Sequence, residues 1–221
     1  MKNTQHNNPR PQQPIRTLSP EQQQELWQYL TVCPTDSPNA ANRTRDVCMI
    51  LLMLDAGLRI AEVCGLKKND LWFGEGPVID LTVRGVIAKN GIERTVPLSD
   101  RLREAIRKLH NHFWKDNEKI DDTQAWSEQF EGCSLSTRQV QRIVKAITTA
   151  ALGMAFNPHA LRHTFATKMM HLTDIRTVQM LLGHASLTST QVYTHPTLTD
   201  LREAINKTNG GTVNKPVKSS G

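Results

Sequence analysis

Asn157 to Pro196 reads NPHALRHTFATKMMHLTDIRTVQMLLGHASLTSTQVYTHP and holds five of the chain's eight histidines. Asn157 supplies an N-cap and Pro158 a first helical position, so a helix begins there. His159, Arg162 and His163 fall at i, i+3 and i+4 and share one face of it. Leu161, Phe165 and Met169 give the other face an apolar seat. A second helix, Ile175 to Leu182, turns Ile175, Val178, Leu181 and Leu182 inward and stops at Gly183, a residue type favoured just past a helix end. His184 follows at once, and Tyr193 comes nine residues later in a short segment closed by Pro196.

Taken singly, each of these residues fits a helical core with surface histidines. Together they place cationic and titratable groups at the ends of packed helices, an arrangement suited to holding an anion.

The strings HALRHTFAT and LLGHASLTSTQVYTH resemble the catalytic pattern of the tyrosine recombinase (phage integrase) family. Upstream, AGLRIAEVCGL resembles that family's first arginine box, with Arg59 as the arginine and Glu62 as its companion. VIAKNGIERTVPL resembles its hairpin lysine element, which puts Lys89 at the lysine position. The matches run in family order over residues 44 to 208. The resemblance implies a mainly helical catalytic domain with a small antiparallel β-sheet (α+β) and a catalytic set of Arg59, Lys89, His159, Arg162, His184 and Tyr193. Tyr193 would be the nucleophile, forming a 3′-phosphotyrosyl link with DNA. Arg59 and Arg162 would clamp the non-bridging oxygens, His159 and His184 would donate hydrogen bonds or manage the tyrosine proton, and Lys89 would be the general acid. His163 matches a frequent family residue that holds the site together, whereas His195 has no clear family role.

Such chemistry calls for no cofactor, and no P-loop is present. A metal site built from His159, His163 and His184 is disfavoured, because the arginine boxes around it would repel a cation. The implied partners are double-stranded DNA and three further copies of the chain in a homo-tetramer on paired sites. Two rivals are a type IB topoisomerase-like enzyme, which shares the chemistry, and a catalytically inactive DNA-binding accessory protein.

Composition is consistent with this. The 221 residues are 38% apolar, enough for one core, and Lys plus Arg outnumber Asp plus Glu by 27 to 21, a balance that suits a polyanionic partner. Cys33, Cys48, Cys64 and Cys133 lack CxxC spacing and read as reduced thiols. No apolar run reaches membrane-spanning length and no hydrophobic signal core opens the chain, so it reads as soluble and cytoplasmic.

Residues 1–18 are rich in Asn, Gln and Pro and are expected to be a disordered tail. The domain then runs over 19–209, and a second disordered tail over 210–221. The resembled family carries a helical domain ahead of the catalytic one. Its place is taken here by the short tail, as in a naturally short member or a catalytic fragment.

Ser19, Pro20 and Gln22 form a capping box for a helix with Leu26, Trp27 and Leu30. Val47, Ile50, Leu51 and Leu54 mark the core stripe of the next helix, which ends at Gly57. Arg59 follows that stop, fixed either to address a phosphate or to pair with Glu62 or Asp70. From Leu71 to Leu98 the period becomes two, and Asn90-Gly91 predicts a tight hairpin between a strand with Val86 and Ala88 and one with Ile92, Arg94 and Val96. Lys89 then sits at the mouth of the turn, where a solvated lysine is the common outcome.

Ser99 caps a helix that turns Leu102, Ile106, Leu109 and Phe113 inward, pairs Glu104 with Lys108, and leaves His110 and His112 on the surface. Residues 115–133 read as an irregular loop. Ser136 and Gln139 cap a helix with Val140, Ile143, Val144 and Ile147 inside and Arg138, Arg142 and Lys145 outside. A charged outer face is normal for a surface helix, but the resemblance places this one in the DNA major groove. Thr199 is placed to cap a last helix with Leu201, Ala204 and Ile205. The resemblance and the Pro196 break predict docking of that helix on a neighbouring subunit, with packing in cis as the alternative.

Overall fold

A helix that is apolar on every side must be surrounded, and the run Cys48 to Leu54 meets that condition: each of its residues is buried. It forms the second half of α2 (Ala40–Leu54), against which α5 (Asp100–Leu109), α7 (Pro158–Met170), α3 (Ile60–Cys64) and α6 (Thr137–Leu152) pack. The stripe read from the sequence is therefore one side of a fully enclosed element. Met49, Leu52 and Met53 complete it at 0% exposure. Each such side chain contributes about 1.5–3 kcal/mol when buried.

The computed structural model describes residues 16–32, 40–115, 123–126, 135–183 and 198–208. Of the expected tails, 1–18 and 210–221, residues 1–15 and all of 210–221 lie outside these residues, as do Cys33 and Cys133. Among the described residues no helix is long and apolar enough to cross a membrane.

The order is α1 (Pro20–Thr31), α2, α3, α4 (Lys68–Leu71), β1 (Trp72–Phe73), β2 (Gly76–Pro77), β3 (Asp80–Val83), β4 (Arg94–Pro97), α5, α6, α7, α8 (Ile175–Leu182) and α9 (Leu198–Thr208). The two sheets are antiparallel pairs, β1 with β2 and β3 with β4. The expected mainly helical fold with small antiparallel sheets is what forms. Local signals mark several helix starts: the Ser19 and Ser136 capping boxes are both made, and Asn157 Oδ1 accepts the Ala160 N–H at 2.8 Å. Leu18 is buried and donates its N–H to Thr164 Oγ1 at 2.9 Å, tying the segment before α1 to α7.

Tertiary contacts overrule the sequence pattern at several places. The tight hairpin expected at Asn90-Gly91 does not form. β3 and β4 pair in the register Val83 with Arg94, and the chain between them folds into successive turns, with the Ile87 and Ala88 N–H groups bonding Arg84 O at 3.1 Å. Arg84 leaves the ladder because its guanidinium is held by Asp70 and Gly65 O, each at 2.9 Å. Ile87 packs inward while Val86 and Ile92 stay exposed.

A π-helical turn, His110–Trp114, follows α5 and shifts the phase by one residue. Trp114 is thus buried where Phe113 was expected, and His110 stacks on Trp72 with ring centroids 3.9 Å apart. Glu104 pairs with Arg107, at 3.5 Å, in place of Lys108. Within the expected loop 115–133, Gln124 bridges Lys67, and Trp126 is buried with its indole N–H on Val63 O. Ile175, in the first turn of α8, is exposed, and Thr177 takes the inward position, its hydroxyl donating to Asp174 Oδ2 at 2.6 Å.

The apolar stripe of α9, expected to dock on a neighbouring subunit, is covered in cis. Leu201, Ala204 and Ile205 are buried as α9 packs on β4 and α7. Arg202 Nε donates to Asp80 Oδ1 at 3.1 Å, and Lys168 Nζ donates to Thr208 O at 3.1 Å. We expect Ile205→Ala to destabilise the dilute protein by about 2–4 kcal/mol through the cavity it opens. Urea unfolding at several protein concentrations measures this. An unchanged midpoint would mean that α9 does not stay on its own chain.

Candidate active site

The last four carbonyls of any helix lack intrahelical donors and carry the negative end of its dipole. In α8 the last two, Leu181 O and Leu182 O, face arginines. Asp174 starts this helix by accepting the N–H groups of Arg176 and Thr177, and Gly183 ends it in the left-handed region at φ 62°. Leu181 O accepts Arg94 Nε at 2.9 Å, and Leu182 O accepts both Arg162 Nη2 at 2.7 Å and Arg59 Nη1 at 3.3 Å. Gly183 is needed for a second reason: a Cβ there would lie 2.9 Å from Arg94 Cδ.

Each arginine arrives on a different element. Arg59 is the N-cap of α3, just past Gly57, whose positive φ lets the chain turn flat against the Phe165 ring. Arg162 lies on the inward side of α7 and donates Nη1 to Gly57 O. Arg94 opens β4. All three surround Glu62, which has no exposed surface: Arg59 Nη1 lies at 3.0 Å, Arg94 makes a two-point contact at 2.9 and 2.7 Å, and Arg162 Nη1 stands at 3.9 Å. Three guanidinium charges against one carboxylate leave an excess of two positive charges.

The electrostatics follow from this crowding. Burial, then repulsion from Arg59, pulls the Arg162 pKa down to about 9 against the opposing pull of Glu62, which leaves it charged at neutral pH. Burial alone would push the Glu62 carboxyl up, but the Arg94 hydrogen bonds and charge, then the bonds from Arg59, hold it below the usual carboxylate range. His163 is lowered from its ordinary value by the partial burial of its ring and then by His159 and Arg162 beside it, which favours the neutral form.

Of the residues proposed from sequence, Arg59 and Arg162 are brought together on one carbonyl. Arg59 does make its Glu62 ion pair, while Asp70 is taken by Arg84. His159 and His163 lie exposed on successive turns of α7. Lys89 is exposed on the β3–β4 connection, whose next residue, Asn90, directs Nδ2 toward Gly183 O at 3.5 Å. Arg138, Arg142 and Lys145 form an exposed stripe on α6, opposite buried Val140, Val144 and Ile147. His184, Tyr193 and His195 lie outside the described residues. Among the described residues no cluster of three His, Cys, Asp or Glu side chains could hold a metal ion.

Arg94 is the member that the sequence motifs passed over. Its signal was present: it shares the period-two face of Val96, and a cation at an inward strand position needs a buried partner.

The phage integrase family pattern matches residues 16–199. Tyrosine recombinase XerA of Pyrococcus furiosus is 36% identical over 188 residues, which cover 85% of this chain and 60% of that protein. Tyrosine recombinase XerC of Corynebacterium glutamicum is 34% identical, with 77% of this chain and 53% of that protein aligned. Among solved structures, the integrase from mycobacterium phage Brujita superposes with a TM-score of 0.64 at 28% identity, over 90% of this chain and 60% of that one. The chain spans about 60% of the length of the XerA relative. With the family pattern covering most of its length and named members at this identity, the chain belongs to the phage integrase family.

Proposed function

We propose that this chain is the catalytic domain of a site-specific DNA recombinase that breaks and rejoins strands through a covalent 3′-phosphotyrosyl intermediate. The observation that carries the reading is the convergence of Arg59 and Arg162 on Leu182 O, with an excess of positive charge, at the helix end that leads into His184. A phosphodiester supplies the oxyanion that such a cluster lacks.

In the proposed reaction the Tyr193 phenolic oxygen attacks phosphorus. The bond from phosphorus to tyrosine forms, the bond to the 5′ oxygen breaks, and Lys89 gives that oxygen its proton. One phosphoester replaces another, so the bond energy is kept and a 5′ hydroxyl from a partner strand can reverse the step. Arg59 and Arg162 offset the charge that builds on the non-bridging oxygens. His159 and His184 donate to those oxygens or take the tyrosine proton, and neutral His163 supports the site. The α6 stripe of Arg138, Arg142 and Lys145 meets double-stranded DNA, and four copies assemble on paired sites. No cofactor takes part.

Tyr193→Phe should abolish a denaturant-resistant adduct between the protein and a nicked DNA substrate. A mutant that still forms the adduct would move the nucleophile elsewhere. Cleavage in excess EDTA is expected to match the untreated rate. A loss restored by Mg²⁺ or Zn²⁺ would instead revive a metal site at the histidines. Arg162→Lys keeps the charge but cannot reach Gly57 O and Leu182 O at once. Its single-turnover cleavage should fall by roughly two powers of ten, as when one preorganised donor is removed, with DNA affinity little changed. Equal losses in both would make Arg162 an ordinary phosphate anchor.

A further inference from the structure

Glu62 has four acceptor positions and all are filled. Oε1 takes Arg94 Nη1 at 2.9 Å and Arg59 Nη1 at 3.0 Å, while Oε2 takes Arg94 Nη2 at 2.7 Å and the Arg59 backbone N–H at 2.8 Å. Arg94 therefore holds the two-oxygen edge of the carboxylate, and Arg59 touches it with one side-chain nitrogen. That same Nη1 also serves Leu182 O, so Arg59 Nε and Nη2 bond no described residue.

We propose that Arg94 is a positioning residue, which occupies the chelating edge of Glu62 and so keeps the Arg59 fork free for the substrate phosphate. This rests on the recombinase reading above. A guanidinium and a carboxylate favour two parallel hydrogen bonds. With Arg94 removed, Arg59 becomes the nearest cation to a carboxylate with no solvent, and it turns to chelate Glu62 with the donors that would otherwise face the phosphate. Arg94 does not meet the substrate itself, because its side chain is only 6% exposed. It also supports the turn that leads to His184. Its Nε binds Leu181 O, and Gly183 lies so close over its stem that no Cβ fits between them.

A buried ion pair can also be purely structural, so the test must separate geometry from stability. The probe is nicked DNA recovered by covalent trapping with the wild-type protein, with binding, single-turnover cleavage and circular dichroism measured at one temperature. Arg94→Met, of similar length and no charge, should melt earlier, bind this DNA with affinity little changed, and cleave about a hundredfold more slowly, the loss that a misplacement near 1 Å produces. Arg94→Lys, which neutralises Glu62 at one point and leaves an oxygen edge open, should cleave at a rate between those of Arg94→Met and wild type. Wild-type cleavage by either folded variant overturns the proposal, as do parallel losses of affinity and rate. If Arg94→Met fails to fold, Arg94→Lys decides. A wild-type protein that forms no adduct sinks the recombinase reading alone. Thermal stabilisation by inorganic phosphate, expected in wild type and smaller in Arg94→Lys, then still decides the positioning role, and equal stabilisation in both overturns it.

Discussion

A carboxylate with no access to water must find all of its hydrogen bonds inside the protein, and the way Glu62 finds them fixes the relation between fold and site. Its partners come from the start of α3 and the start of β4, with the inward face of α7 next to them. Those same partners reach the end of α8. Four elements distant in sequence are thereby held at one point. Losing one side of such a pair leaves a buried charge uncompensated, at a cost of about 3–5 kcal/mol. The geometry around Glu62 is consequently stiff, and stiffness is what the proposed phosphate clamp would require.

One carboxylate does not balance three guanidinium groups. Part of the remaining repulsion is offset by the Leu181 and Leu182 carbonyls at the negative end of α8. The rest is unrelieved within the described residues, and after burial it is repulsion from Arg59 that lowers the Arg162 pKa. A protein selected for stability alone would place a second acid here. Leaving the charge unmatched destabilises the empty chain and favours it with an anion bound, the familiar exchange of stability for function.

The sequence was informative where the physics is local. Caps at Ser19, Ser136 and Asn157, the stop at Gly183 and the core stripe of α2 are each encoded within a few neighbours, and they form as expected. It was silent where a distant partner decides. Arg94 and Glu62 are 32 positions apart, so nothing beside Arg94 names its partner. The hairpin expected at Asn90-Gly91 had sound turn chemistry, but Arg84 is committed to Asp70, 14 positions back, and the chain folds into turns to satisfy it. Trp126 shows the same limit from the apolar side: a polar stretch hid one large ring that fills the core beside α3. For His184 and Tyr193 the motif remains the whole basis, since neither lies among the described residues.

The described elements flanking those two residues carry a further consequence. On one side, Gly183 rests on the stem of Arg94. On the other, α9 packs on β4 and α7, and Arg202 pairs with Asp80 at the far end of the β3–β4 ladder from Arg94. Both flanks therefore bear on β4, the strand that begins with the arginine at the centre of the cluster. Yet no bond that fixes Arg59, Arg94 or Arg162 comes from α9. Displacing α9 would leave every bond of the arginine cluster in place. The arginine cluster is fastened to the fold through Glu62, Gly57 and the end of α8, independently of the packing of α9.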